Sequence, residues 1–135
     1  MMMHDILGAA RDYRASALEA LQQRLASDPM DVQQRAAHGF ACVATSVAAL
    51  EAVDAWLEAN NGGSGLDRNV ARLAFAETLA QLVGGLPMGQ NELFRPADLG
   101  AGAAAATLSQ AAQDLLAGDN APLRAAVAGA LAQGQ

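Results

Sequence analysis

Apolar side chains recur at intervals of three and four residues through most of the chain, which is the spacing of one face of an α-helix. The pattern predicts helices over residues 5–27, 29–59, 64–83 and 103–117, and a fifth helix that starts at Asn120. Every connection is short except residues 84–100, and short connections make consecutive helices neighbours. We therefore expect an all-α fold in which residues 1–135 form one domain, an up-and-down four-helix-bundle-like arrangement whose fourth wall is made of the last two short helices.

Residues typical of helix ends mark several of these boundaries. Asp28 followed by Pro29 is typical of an N-cap and a first helical position, so the second helix is expected to start there. Ser64 and Asp67 have the spacing of a capping box at the start of the third helix. Residues 60–63 and the pair at 84–85 are rich in glycine, which adopts left-handed conformations readily, so they should end the second and third helices.

The predicted second helix carries two stripes. One is a seam of larger apolar residues at alternating spacings of four and three, as in a coiled coil: Ala36, Phe40, Val43, Val47 and Leu50. Beside it runs a row of mostly small side chains: His38, Cys42, Thr45, Ala49, Ala52 and Trp56. Two stripes predict contacts on two sides of this helix.

The expected core collects the larger apolar residues of all five helices. Its members are Leu18, Leu21, Phe40, Val43, Val47, Leu50, Val70, Leu73, Phe75, Leu79, Leu108, Leu115, Val127 and Leu131. Tyr13 is expected at the edge of the first helix's apolar stripe, with its hydroxyl in reach of water. The chain has 34 alanines and only 4% aromatic residues, so the helices must approach closely on small side chains.

The connector at residues 84–100 departs from this alanine-rich pattern. Long connections in small domains are usually packed and functional or else disordered, and the apolar residues here favour packing. Met88, Leu93 and Phe94 are candidates either for a groove that binds an acyl chain or for a plug at the end of the bundle. The glycines lack the neighbouring strand and spacing of a phosphate-binding loop, so we interpret them as helix termination.

Two stretches of the sequence resemble a known family. FAETLAQLVGGLPMGQNELFRPADLG at residues 75–100 and HGFACVATSVAALEAVDAW at residues 38–56 are similar to the segment that precedes the flavoprotein core in acyl-CoA dehydrogenases of the methylsuccinyl-CoA dehydrogenase type. Within these stretches, GGLPMGQ and RPADLG are the motifs most specific to that family. The resemblance implies a relative of an N-terminal helical extension. In that family the FAD site and the catalytic carboxylate belong to the domains that follow, so it assigns no catalytic residue, no cofactor-binding residue and no cofactor to this chain.

Composition excludes several classes of function. The net charge is −6, the pI is near 4.6, and the eight arginines are scattered, which argues against nucleic acid as a partner. The longest mostly apolar run, residues 36–50, is shorter than the ~20 residues that cross a bilayer, and no signal peptide is expected. The single cysteine, Cys42, excludes an internal disulfide, is interpreted as a small hydrophobe and suits a reducing cytoplasm.

The sequence offers few polar residues that could form a catalytic or metal-binding site. The two histidines and the absence of Glu-x-x-His motifs predict no metal site. Glu77 falls within the apolar row of the third helix, and His38 lies on the small-residue row of the second. We expect Glu77 to be buried and paired with an Arg or His side chain on the second or third helix. His38 is the first candidate, and Arg35 and Arg72 are alternatives. Such a pair is either structural or half of an acid-base site.

The sequence therefore predicts a non-catalytic helical accessory or oligomerisation module that is cytoplasmic and forms a homodimer. An acyl-CoA dehydrogenase core is a further candidate partner. The alternative is a module or small enzyme that binds acyl-CoA or a fatty acyl chain at residues 84–100. The homodimer is expected because the second helix has more apolar circumference than one bundle uses.

Overall fold

The computed structural model describes residues 2–135, with side chains from Met3 onward, and within this range it contains seven helices and one antiparallel hairpin. The three long helices are α1 (Met2–Ser27), α2 (Gln34–Ala59) and α3 (Gly65–Gly84). The rest of the chain forms β1 (Leu86–Gly89), β2 (Glu92–Phe94), α4 (Pro96–Leu99), α5 (Gly102–Ala111), α6 (Gln113–Leu116) and α7 (Ala121–Ala132).

The helices form a bundle, which confirms the predicted all-α class. Helix α1 packs against α2, α2 packs against α3, and α5 closes the arrangement by contacting both α1 and α3. Short helices therefore make the fourth wall, as predicted. Within it, α5 contacts α1 and α3, whereas α6 and α7 pack against α3, and α6 adds the buried Leu115 to the core. No residue of α7 is fully buried.

The seam predicted on α2 faces the core. Val43, Val47 and Leu50 are buried, as is Ala36, and Phe40 is partly buried against the same cluster. Burial of this stripe fixes the rotation of α2 about its own axis. The predicted core-facing side of α2 is thus confirmed.

Three residues predicted for the core are exposed. Leu18, Val70 and Leu131 have exposed fractions of 39%, 41% and 58%, so these assignments are wrong. In α1 the buried face instead consists of Ile6, Leu7, Ala10, Tyr13, Ala17 and Leu21. Leucine and alanine are both apolar, so the sequence pattern does not distinguish between them. Packing of α1 against α2 and α5 buries the face that includes the small residues. Leu131 is exposed because α7 contributes no buried residue.

Tyr13 is more buried than its predicted edge position implied. It is among the largest fully enclosed side chains, and its burial raises the pKa of the phenol to about 12. Desolvation disfavours the phenolate, which explains the direction of the shift.

Two helix boundaries differ from the sequence prediction. Helix α2 starts at Gln34, because residues 29–33 form successive turns in which the amides of Val32 and Gln33 donate to the carbonyls of Pro29 and Met30. The predicted fourth helix is interrupted at Ala112, which divides it into α5 and α6.

The capping box at the start of α3 is confirmed. The Asp67 amide donates to Ser64 Oγ at 3.1 Å, and the Ser64 amide donates to Asp67 Oδ2 at 2.9 Å. Two amides at the first turn of α3 are thereby satisfied by side chains.

The hairpin is the element that the helical periodicity did not predict. Leu86 pairs with Phe94 and Pro87 with Leu93, and an irregularity follows between Pro87 and Gly89. Asn91 adopts a left-handed φ of 64° in the turn, where asparagine is tolerated. The hairpin and α4 pack across the end of the bundle where α1 ends and α2 begins, so the connector is packed, as expected.

A close approach between Phe94 and Gly39 holds this end of the bundle together. A Cβ atom at Gly39 would lie 2.3 Å from Phe94 Cε2, which is far inside van der Waals contact. Both residues are buried. The glycine in the middle of a helix is therefore explained by the space that the aromatic ring needs.

Gly39→Ala should lower the free energy of unfolding by about 1–3 kcal/mol, because the new methyl group overlaps the Phe94 ring. Urea unfolding at neutral pH measures this change. Gly8→Ala is the matched control, since Gly8 lies within α1 and a Cβ there meets nothing within 4 Å. The control should raise stability by up to about 1 kcal/mol through helix propensity. Equal effects of the two substitutions would contradict the packing at Gly39.

Candidate functional site

The three connector residues proposed as groove or plug occupy different environments. Phe94 is 1% exposed and belongs to the core cluster, and Met88 is partly buried against that cluster. Leu93 is exposed. Phe94 therefore acts as a plug at the end of the bundle. The structure does not bring the three side chains together as one groove wall.

Arg35, in the first turn of α2, joins this plug to the helices. Its Nη2 donates to the Leu93 carbonyl at 2.9 Å, and its guanidinium carbon lies 5.6 Å from the centroid of the Phe94 ring. Its other nitrogens lie 3.4 Å from Glu92 Oε1 and 3.6 Å from Asp98 Oδ2. The sequence suggested Arg35 as a partner for Glu77, and its contacts with the hairpin were missed because the hairpin itself was not predicted.

Asp98 organises the turn that enters α4. Its Oδ2 accepts a hydrogen bond of 2.8 Å from the Arg95 amide, and it also faces Arg35. The backbone hydrogen bond from Arg95, followed by the charge of Arg35, holds the pKa of the Asp98 carboxyl below its usual range. The ionised carboxylate therefore stabilises the folded hairpin end.

Glu77 and His38 do not form the expected buried pair. Glu77 is about half exposed, and its partner is Arg124 of α7. His38 is also exposed, and its Nε2 lies 4.0 Å from Cys42 Sγ, one turn further along α2. The apolar row on α3 misled the prediction, because α7 contributes an arginine to a part of that row instead of an apolar side chain. The pair is a surface ion pair between α3 and α7.

His38 and Cys42 border a surface groove of about 510 Å³. Side chains from α2, α3 and β1 line this groove: His38, Ala41, Cys42, Thr45, Ser46, Gln81, Leu86 and Pro87. Its walls are mostly small or apolar. The groove lies next to the hairpin, although the residues that line it differ from the three expected from the sequence.

The side of α2 that faces away from the core is almost entirely made of small residues. Six exposed positions follow one another at spacings of four, three, four, three and four, and we call them the outer seam: Ala41, Thr45, Ala48, Ala52, Ala55 and Ala59. The exposed residues of the predicted small-residue row, His38, Ala49 and Trp56, flank this seam on one side, and Cys42 of that row is partly buried. The second apolar side of α2 is thus present, centred slightly away from the predicted row.

Helix α2 contains a long, mostly apolar stretch. Its most apolar window of 18 residues has a mean hydropathy of 1.5, yet only 22% of that window is buried. Its length and composition are those of a helix that can cross a membrane and equally those of the core helix of a soluble protein. Here one face of α2 forms the centre of the bundle core.

Comparison with known proteins supports the resemblance found in the sequence. The chain is 34% identical over 94 residues to (2S)-methylsuccinyl-CoA dehydrogenase from Cereibacter sphaeroides, and the match covers 63% of this chain. It spans 17% of the length of that enzyme, so the similarity concerns a part of it. No family model matches the chain, and no solved structure matches it. The chain therefore contains an acyl-CoA dehydrogenase-like region.

Replacing Asp98 tests the electrostatics of the hairpin end. Because the folded-state pKa is depressed, the stabilisation is present above the unfolded pKa of about 4 and is lost as pH falls through the folded pKa. Asp98→Asn should lower the free energy of unfolding at pH 7 by about 1 kcal/mol or less, since the site is partly screened by solvent. The difference from the unmodified protein should shrink at pH 3.

Urea unfolding at the two pH values measures this difference. Asp31→Asn is the control, because Asp31 is an exposed carboxylate in the turns before α2. A difference for Asp98→Asn that stays constant or grows on acidification would contradict the assigned role.

Proposed function

We propose that this domain is a non-catalytic helical module that forms a two-fold dimer through the outer seam of α2. It serves as an accessory or oligomerisation element of acyl-CoA dehydrogenase-like proteins. The outer seam carries the proposal. An exposed apolar surface of this length usually marks an interface, and closed two-fold pairing is the commonest assembly of identical soluble chains.

The outer seam suits a second α-helix. Its alternating spacing of four and three is that of helices which pack at a shallow crossing angle, and its alanines allow two backbones to approach closely. The seam runs from Ala41 to Ala59, a rise of about 27 Å along the helix. That length allows several turns of each helix to be in contact.

Charge distribution favours an antiparallel pairing of the two α2 helices. His38 lies near the start of α2 and Glu58 near its end, both are exposed, and Ala48 lies midway between them. A two-fold axis close to Ala48 places the start of each α2 beside the end of α2 in the partner subunit. The same arrangement places the positive end of one helix dipole beside the negative end of the other.

A non-catalytic role agrees with the surroundings of the polar side chains that the sequence singled out as candidates for chemistry. Glu77, the candidate for acid-base chemistry, is neutralised by Arg124 at the surface of α3. An exposed ion pair of this kind is ordinary surface electrostatics. The partly exposed free Cys42 is compatible with a reducing cytoplasm, which we propose as the location.

An acyl-CoA dehydrogenase core is the second candidate partner for the outer seam. The observation that favours it is the similarity to a segment of a longer enzyme of that class. In this arrangement the outer seam binds the acyl-CoA dehydrogenase core instead of a second copy of this chain.

Ala48→Glu should convert the dimer to a monomer. The substitution places two carboxylates next to each other at the proposed axis, and like charges at an interface cost several kcal/mol. Sedimentation equilibrium at micromolar concentration should give twice the chain mass for the unmodified protein and the chain mass for the variant.

The control is Ala125→Glu, which adds the same charge at an exposed position of α7. It should remain dimeric, and circular dichroism should show that both variants keep their helices. A monomer in the unmodified protein would overturn the dimer. Binding of that monomer to a separately purified acyl-CoA dehydrogenase core, lost in Ala48→Glu, would assign the seam to the core.

The alternative function, binding of an acyl-CoA or a fatty acyl chain, is favoured by the groove beside His38 and Cys42. Calorimetric titration with a medium-chain acyl-CoA tests it, and we expect no saturable binding at micromolar concentration. Gln81→Trp fills the groove from α3, outside the outer seam. Saturable binding that this variant abolishes would establish the alternative.

A further inference from the structure

Three potential metal ligands meet at the end of the bundle opposite the hairpin. His4 lies in the first turns of α1, and Asp54 and Glu58 lie one turn apart near the end of α2. One ligand atom from each residue lies within 4.8 Å of those of the other two. The three side chains also line a common cavity of about 450 Å³. The sequence predicted no metal site on the ground of its two histidines and the absence of Glu-x-x-His motifs, and local spacing does not reveal that positions 4 and 54 meet.

Asp54 shows that this arrangement is more than a group of surface charges. Among the charged residues that the structure describes, Asp54 is the buried one, with 8% of its surface exposed. A buried carboxylate is costly unless a cation or hydrogen-bond donors compensate for its lost hydration. Its salt-bridge contact is His4 Nδ1 at 3.5 Å, and an imidazole supplies a positive charge only when it is protonated.

We propose that His4, Asp54 and Glu58 form a binding site for a first-row divalent transition metal ion such as Zn²⁺. One imidazole nitrogen and two carboxylate oxygens are ligands that Zn²⁺ accepts, and three protein ligands leave a position for water. Ca²⁺ and Mg²⁺ prefer ligand sets made of oxygen alone, so the histidine favours the transition metal. The ion places a positive charge next to the Asp54 carboxylate.

The geometry permits coordination with small movements of side chains. Ligand atoms in a tetrahedral zinc site are about 3.4 Å apart, given bonds of about 2.1 Å. The observed separations of up to 4.8 Å therefore have to contract. His4 and Glu58 are exposed and free to adjust, whereas the burial of Asp54 fixes the centre of the site. Residues four apart on a helix point to the same side, which suits Asp54 and Glu58.

Arg68, which carries a positive charge, also lines the cavity. Its Nη1 donates to the Gly63 carbonyl at 2.7 Å and lies 3.5 Å from the Gly62 carbonyl. The guanidinium is thus engaged by the turn between α2 and α3. Among the described ion pairs, neither Asp54 nor Glu58 is joined to Arg68, so both carboxylates are available to a metal ion.

Calorimetric titration of Zn²⁺ into chelator-treated protein tests the site. We expect one equivalent to bind with saturation at micromolar concentration. His4→Ala, Glu58→Gln and Asp54→Asn should each weaken binding by about 10-fold or more, because even residues that only support metal ligands change affinity by that factor. Zn²⁺ should also raise the melting temperature of the unmodified protein, since it binds the folded state.

The matched controls are His38→Ala and Glu77→Gln, which remove an exposed histidine and an exposed glutamate elsewhere. Both should bind Zn²⁺ like the unmodified protein. If Asp54→Asn fails to fold, His4→Ala and Glu58→Gln carry the test, because those residues are at the surface. The proposal is overturned if no saturable binding occurs, if binding survives in the His4 and Glu58 variants, or if it is lost in His38→Ala.

Discussion

The contact between the Phe94 ring and Gly39 is the constraint on which one whole end of the domain depends. Because the ring occupies the space that a Cβ atom would fill, the hairpin can lie directly on the backbone of α2. Arg35 also lies over the ring and donates a hydrogen bond to the hairpin. In a chain with few aromatic residues, one large side chain thus orders the meeting point of the three long helices.

The same packing explains why residues 84–100 have so distinctive a sequence. Their backbone turns require particular residues: Gly85 has a φ of 150° and Gly100 a φ of 77°, both in the region that favours glycine. Pro96 is buried at the start of α4, and Asp98 accepts the hydrogen bond from the chain that enters it. The distinctive motifs of this segment are therefore explained by what its turns and packing require, without any catalytic role.

Helix α2 links the two ends of the domain and its two kinds of surface. One side forms the core with Val43 and Val47, and the opposite side carries the outer seam. Its first turn holds the hairpin through Arg35, while its last turns carry Asp54 and Glu58. The proposed dimer and the proposed metal site thus both depend on how α2 is rotated within the bundle. That rotation is determined by burial of the larger apolar side chains.

The sequence by itself determined the all-α class, the capping box of α3, the core seam of α2 and the resemblance to part of an acyl-CoA dehydrogenase. These predictions follow from local residue spacing or from short sequence motifs. Neither depends on contacts with residues far away along the chain. Tertiary structure decided the rest. Leu18 and Ala17 are both apolar, and only packing selects Ala17 for the core. The partner of Glu77 and the meeting of His4 with Asp54 depend on how separate helices dock, which periodicity along one helix does not encode.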